Sequence, residues 1–199
     1  KMNKFSNISY FNHDKGLGHT FNYGNQIASN NIILQTEDDW IINNKFIPTF
    51  DVFKGLIFKC FQIINENPSS CVRLDGGMFD EIGGNNSYPL GYEMFNFKGL
   101  FNYYKYNLPT RTQMNEDPWL HYAFSNHPHL KYKHTTIKFP YPEICNPGVL
   151  ENNYASEWIL SKKDIFYVPI NEESIKISGP TNPDKNIFKH IGAVYSYRL

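Results

Sequence analysis

The sequence has few cysteines, no long apolar run and no excess of charge of either sign. Its three cysteines, Cys60, Cys71 and Cys145, are an odd number without a Cys-x-x-Cys spacing. This argues against a disulfide framework or a zinc cluster and fits a reducing compartment. No apolar stretch approaches the roughly 20 residues that span a bilayer, and the N-terminal residues lack the apolar core of a signal peptide. A cytoplasmic protein without a transmembrane segment is therefore expected.

The balanced charge argues against partners that bind through a strong electrostatic field, such as nucleic acid. Nineteen basic and nineteen acidic residues give a formal net charge of zero, so binding to nucleic acid is not expected. The 199 residues suffice for one domain with a buried core, and no repeat or linker divides residues 1–199. Aromatic residues make up 17%; because they line carbohydrate sites as well as cores, composition alone does not choose a function.

The most informative feature that the sequence does contain is the acidic triplet Glu37, Asp38 and Asp39, directly after the apolar run 32–34. Adjacent carboxylates repel one another unless a cation lies among them. Oxygen ligands on a short turn suit Mg²⁺ or Mn²⁺, which is usually shared with substrate phosphates. The alternative is a solvated acidic turn after a strand.

The pattern around the triplet predicts an α/β fold. A short strand over 8–11, a helix over 18–29 and a strand over 32–35 follow one another along the chain. This strand–helix–strand order predicts a mainly parallel central sheet flanked by helices, with its ligand crevice at the carboxyl ends of the strands. The triplet would lie at that end.

Further elements are predicted along the rest of the chain, with less regularity towards the C-terminus. Apolar residues at helical spacing predict a helix over 46–65, and β-forming residues predict strands over 71–74 and 92–97. The segment 75–92, rich in Gly, Asn and Pro, is expected to be a long loop. A helix is expected to open at Asn115, and a short β-like piece at 137–139. The remainder from Tyr141 to Leu199 is expected to be irregular.

The segment from Gly18 to Trp40 resembles the GT-A glycosyltransferases. In many of these enzymes a helix with an Asn-x-Gly pattern, here Asn22-Tyr23-Gly24, precedes a buried strand. That strand ends in the metal-binding DXD signature, here in a Glu-Asp-Asp variant. The resemblance therefore implies a single GT-A-like, Rossmann-like domain.

The resemblance also implies roles for the three acidic residues. Asp39 would hold the divalent ion that bridges the two phosphates of a nucleotide-sugar. Asp38 would contact the donor sugar, and Glu37 either the ribose or a ligand of the ion without touching the ion itself. The chemistry is consistent, since a nucleoside diphosphate leaves only when its developing negative charge is neutralised.

A second motif is Asn115-Glu116-Asp117-Pro118, which resembles the acidic pair that follows the DXD signature in many inverting GT-A enzymes. There the carboxylate deprotonates the acceptor hydroxyl. Asp117 is the expected base, with Glu116 as its competitor. The structural alternative is a helix start, with Asp117 as N-cap and Pro118 at the first helical position.

A third motif, Lys189-His190-Ile191-Gly192, resembles a segment that closes over the diphosphate late in many GT-A domains. His190 would be a further metal ligand, and imidazole suits Mn²⁺ better than Mg²⁺. Lys189 and Arg198 would contact the donor phosphates. The alternative for His190 is an ordinary surface residue.

Arg73 and Asp75, at and after a predicted strand, are weaker candidates for the acceptor side. A surface pair is an equal alternative. His129 has no metal-ligand spacing to a second histidine that would single it out.

The expected reaction is transfer of a sugar from a nucleotide-sugar, with a UDP-sugar as first candidate, to the hydroxyl group of a glycan, protein or small molecule. Inversion is expected because a carboxylate base is available, and Mn²⁺ or Mg²⁺ is the expected cofactor. A GT-A domain normally begins with a strand and helix that hold the nucleotide base, so the chain is expected to be N-terminally truncated. The alternatives are a degenerate, non-catalytic carbohydrate- or nucleotide-binding module and a metal-dependent phosphohydrolase or nucleotidyltransferase, which usually needs more scattered acidic ligands.

Overall fold

The computed structural model of the protein describes residues 16–36, 40–42, 49–74, 92–116, 128–143, 147–169 and 188–190. Within them a six-stranded mixed sheet is flanked by helices, and two further strands form a small second sheet. The helices are α1 (Leu17–Ile27), α2 (Phe50–Glu66), α3 (Arg111–Glu116), α4 (Lys133–Lys138) and α5 (Pro147–Leu160). The strands are β1 (Ile32–Gln35), β2 (Trp40–Ile42), β3 (Cys71–Arg73), β4 (Tyr92–Phe97), β5 (Phe101–Tyr106), β6 (His129–Tyr132), β7 (Ile165–Tyr167) and β8 (Phe188–His190). In the described part of the chain, no helix has the length and apolarity that a bilayer crossing requires.

The large sheet has the strand order β1-β6-β3-β7-β5-β4. Strands β1, β3, β7 and β4 run in one direction and β6 and β5 in the other, so β3 and β7 are the one parallel neighbouring pair in this sheet. The prediction of a mainly parallel sheet is therefore wrong for the described strands. The physical reason is that β6 inserts between β1 and β3, and that β4 and β5 are joined by a tight turn, which permits only antiparallel pairing.

Helix α2 covers one face of the sheet. Its buried residues Leu56, Cys60, Ile63 and Ile64 recur at helical spacing and pack against alternate residues of the strands, including Val72. The helix begins where the Thr49 hydroxyl accepts a hydrogen bond from the Val52 amide at 3.3 Å. The predicted helix over 46–65 is confirmed as an element, with its start at Phe50.

Helices α1 and α5 cover the opposite face. The buried residues of α5 lie at positions 150, 154, 155, 158 and 159, which is the spacing of one helical face. The prediction of an irregular segment from Tyr141 onward is therefore wrong over α5, β7 and β8. Pro147 does not interrupt α5, because proline is well suited to the first position of a helix.

The β-like piece predicted over 137–139 is also wrong, because residues 133–138 form helix α4. Its β-branched residues favour a strand by propensity, but both threonines are buried, and the Thr135 hydroxyl donates to the Pro68 carbonyl at 2.8 Å. Tertiary contacts therefore override the local preference. The predicted strand over 8–11 and most of the predicted loop 75–92 lie outside the described residues.

Candidate functional site

A row of buried polar side chains lies at the edge of the sheet where β1 ends. The register pairs Gln35 with His129, His129 with Arg73, and Arg73 with Tyr167. Directly paired residues of neighbouring strands project from the same face of a sheet. All four residues are at least 94% buried, since their exposed fractions do not exceed 6%. One edge of the sheet is thus rich in hydrogen-bonding groups. At this edge lie the carboxyl ends of β1, β3 and β7 and the amino end of β6.

The segments that hold the predicted acidic residues leave or reach the sheet at this edge. Thr36 follows β1 and leads into the acidic triplet, while residues 117–127, which contain Asp117, lead into Pro128. The Leu74 amide donates to the Pro128 carbonyl at 2.9 Å and so continues the β3–β6 pairing. The triplet, Asp75, Asp117 and Arg198 themselves lie outside the described residues.

The small second sheet connects the triplet to the third motif. Strands β2 and β8 are antiparallel, with Trp40 opposite His190 and Ile41 opposite Lys189. Directly opposite residues have α-carbons about 4.5–5.5 Å apart, and Asp39 is the covalent neighbour of Trp40. The backbone pairing therefore sets His190 opposite the residue that follows Asp39 in the sequence, although residues 40 and 190 are about 150 positions apart.

Glu116, the predicted competitor for the base, lies in the last turn of α3 and is exposed. The helix is anchored by Met114, which is buried among the aromatic residues under α5. Glu116 therefore lies at the end of a helix, whereas the sequence predicted a helix that begins at Asn115. The remainder of that predicted helix lies outside the described residues.

One lysine lies fully buried beneath the polar row. Lys131 is 0% exposed, and its amine lies 5.1 Å from the ring centre of Tyr141 and 5.5 Å from that of Tyr154. Burial lowers the pKa of Lys131 to about 7, from 10.5. The Tyr141 hydroxyl lies 3.4 Å from this amine and accepts a hydrogen bond of 2.6 Å from the Gln35 amide.

Sequence reasoning missed Lys131 and gave His129 no role. Strand β6 was not predicted, although the order His129-Leu130-Lys131-Tyr132 alternates in polarity. That alternation normally places the polar residues in solvent. In this fold both sides of β6 are buried, since Leu130 is as deeply buried as His129 and Lys131. The alternation would therefore have located the strand but would have assigned Lys131 to solvent.

The buried charges of this region are basic. Among the described residues the buried ionisable groups on this face include Arg73, His129 and Lys131, and no Asp or Glu is buried. Burial raises the pKa of Cys71 to about 12 and that of Tyr154 well above its ordinary value, so both stay neutral near pH 7. The ionisable residues buried on this face, near the carboxyl end of β1, therefore include basic residues and no carboxylate among the described residues.

Within the described ranges, no group of three or more His, Cys, Asp and Glu side chains is placed to hold a metal ion. The predicted ligand Asp39 falls outside those ranges, and for His190 the structure defines the strand position. No protein-family model, curated protein or solved structure matches this chain.

Proposed function

We propose that the protein is a metal-dependent glycosyltransferase with a GT-A-like domain, which transfers a sugar from a nucleotide-sugar to a hydroxyl acceptor with inversion. UDP-sugars are the first candidates for the donor. The observation that supports the proposal is the pairing of Trp40 with His190, because Trp40 directly follows Asp39 in the sequence and His190 belongs to the third sequence motif.

The predicted ligands suit a divalent cation that is shared with a diphosphate. Asp39 offers carboxylate oxygens and His190 offers an imidazole nitrogen, a donor set that fits Mn²⁺ better than Mg²⁺. A bound ion of this kind neutralises the charge that develops on the departing diphosphate. Lys189, opposite Ile41 in β2, and Arg198 would add cationic donors to the phosphates.

The remaining acidic residues receive roles in binding and proton transfer. Asp38 contacts the donor sugar and Glu37 the ribose. The acceptor oxygen forms a bond to the anomeric carbon while the bond from that carbon to the diphosphate breaks, and the electron pair leaves with the nucleoside diphosphate. Asp117 takes the hydroxyl proton, and Glu116 is the second candidate for this step. Attack from the face opposite the leaving group inverts the anomeric centre.

Calorimetric titration of UDP-, GDP- and TDP-sugars in the presence of Mn²⁺, Mg²⁺ or EDTA tests the proposal. One donor is expected to bind only with a divalent ion, and Asp39→Ala is expected to weaken this binding at least about tenfold, because a direct charged ligand is worth more than about 1.4 kcal/mol.

The matched control is Asp51→Ala. Asp51 is an exposed carboxylate on α2 that pairs with Lys54 at 2.7 Å, so its loss should leave donor binding unchanged. Metal-dependent binding that survives in Asp39→Ala would contradict the metal assignment. Binding of a donor without transfer to any hydroxyl acceptor would favour the non-catalytic module, and the absence of binding to every donor would contradict the proposal as a whole.

A further inference from the structure

Tyr141 joins helix α1, strand β6 and the end of strand β1. Its main chain forms two hydrogen bonds with the Asn22 side chain of α1, each of 2.8 Å: the Asn22 amide donates to the Tyr141 carbonyl, and the Tyr141 amide donates to the Asn22 oxygen. Its ring stacks on Tyr154 of α5 with 3.8 Å between ring centres and 12° between the planes. The main chain and the ring of Tyr141 are therefore each held by contacts that do not involve its hydroxyl.

The hydroxyl of Tyr141 is directed at the last residue of β1. The Gln35 amide donates to it at 2.6 Å, in a buried setting where a hydrogen bond is not weakened by competing water. Gln35 is separated from the triplet by one residue, Thr36. A constraint on Gln35 thus acts directly on the strand end from which Glu37, Asp38 and Asp39 follow.

Lys131 completes this set of contacts from β6. Its amine lies 3.4 Å from the same hydroxyl and is held over the Tyr141 and Tyr154 rings. The Lys131 amine donates to the Tyr141 hydroxyl, which also accepts the hydrogen bond from the Gln35 amide. The two lone pairs of a hydroxyl oxygen allow it to accept both bonds at once.

We propose that Asn22, Tyr141 and Lys131 form a positioning chain that holds Gln35 and so fixes the carboxyl end of β1, which the acidic triplet follows in the sequence. The functional consequence rests on the glycosyltransferase proposed above. Asn22, which belongs to the Asn-x-Gly segment, thereby has a structural role. Its side chain fixes the main chain of Tyr141 and does not have to contact a ligand.

Hydrogen–deuterium exchange of Tyr141→Phe tests the positioning directly. The substitution removes one oxygen and keeps the ring that stacks on Tyr154. A net hydrogen bond corresponds to about two- to twelvefold in an equilibrium constant, so amides 33–36 are expected to exchange faster by about that factor. Unchanged exchange at these amides would overturn the proposal.

Tyr132→Phe is the matched control. This substitution also removes one phenol hydrogen bond, of 2.5 Å to Asn65. Tyr132, however, lies at the other end of the β1–β6 pair, opposite Ile32. Its substitution should leave amides 33–36 unchanged. Should Tyr141→Phe fail to fold, Gln35→Met removes the amide donor at the opposite end of the contact, and the same criterion applies to amides 33–36.

A second measurement tests whether the positioning chain affects metal-dependent binding. Titration of UDP, GDP and TDP with Mn²⁺ is expected to show weaker binding to Tyr141→Phe by about two- to twelvefold, with kcat at saturating donor and metal retained within about twofold. A loss of kcat with unchanged affinity would overturn a positioning role. If the wild-type protein binds none of these nucleotides with Mn²⁺, the proposed function fails, while hydrogen exchange still decides whether the chain fixes β1.

Discussion

At the scale of single residues, the buried amine of Lys131 makes the stability of the protein depend on pH. In the unfolded chain Lys131 has its ordinary pKa of 10.5, whereas burial lowers the pKa to about 7 in the folded protein. Between these values the unfolded chain holds more protons, so the free energy of unfolding rises with pH. The stability of the protein with a neutral Lys131 is fully present above pH 10.5. It decreases as the pH falls towards the folded pKa, and the loss is complete below about pH 7.

Replacing Lys131 by methionine removes this dependence while keeping an unbranched side chain of similar length. Between pH 7 and pH 9, the free energy of unfolding should rise less steeply in Lys131→Met than in the wild type, by up to about 1.4 kcal/mol per pH unit. Urea denaturation at pH 6, 7.5 and 9 measures this difference. The variant should also be the more stable protein at pH 6, where the wild type buries an ammonium group.

The control for Lys131→Met is Lys138→Met, because Lys138 is an exposed lysine on the adjacent helix α4. Its curve should run parallel to that of the wild type. The comparison isolates Lys131 from the other buried groups on the same face, among them His129, Arg73, Cys71 and Tyr154, which are present in all three proteins. Equal pH slopes in wild type and Lys131→Met would contradict the lowered pKa.

At the scale of elements, helix α1 contains two glycines with opposite demands. A β-carbon added to Gly18 would collide with the Pro142 carbonyl and lie 3.0 Å from a methyl group of Leu150, whereas one added to Gly24 would meet nothing within 4 Å. Gly18 therefore permits the close approach of α1 to the segment that carries Tyr141, and Gly24 has no packing role among the described residues.

The two alanine variants should change stability in opposite directions. Gly18→Ala forces the Pro142 main chain to move and is expected to cost about 1–3 kcal/mol. Gly24→Ala lies inside a helix and is expected to stabilise the protein by up to about 1 kcal/mol, because alanine has the higher helix propensity. Thermal and urea unfolding of the pair measures both effects. A Gly18→Ala protein as stable as the wild type would show that α1 does not pack as described.

At the scale of the whole molecule, two buried cysteines report on opposite faces of the sheet. Cys60 lies in the cluster under α2 and Cys71 in the cluster under α5, and both are fully buried free thiols. Burial raises the pKa of each to about 12, so neither supplies the thiolate that reacts with alkylating agents.

If residues 1–199 form one cooperative domain, both thiols should become reactive at the same urea concentration. Pulsed iodoacetamide labelling at pH 8, read for each cysteine by peptide mass spectrometry, gives the two midpoints separately. Coincident midpoints are the expected result, since both clusters pack on the same strands. Two distinct midpoints would mean that the faces unfold independently, and labelling without urea would contradict the burial itself.

The sequence by itself determined the local elements that precede the site. The apolar spacing located α1, β1 and α2 to within a few residues, and the strand patterns located β3 and β4, because the spacing of apolar and β-forming residues along the chain sets the type of element. The sequence also identified the acidic triplet, because adjacent carboxylates repel one another unless a cation lies among them. Its role as a metal site remains a prediction.

Only the tertiary structure decided which strands are neighbours and which polar groups are buried. The insertion of β6 between β1 and β3, and the pairing of β2 with β8, join segments far apart in the chain, and no local pattern encodes such contacts. The burial of Lys131 departs from the usual interpretation of an alternating strand, because the stacked rings of Tyr141 and Tyr154 and the Tyr141 hydroxyl replace water around its amine. Local periodicity fixes elements, whereas the free energy of burying a polar group depends on partners that only the folded chain brings together.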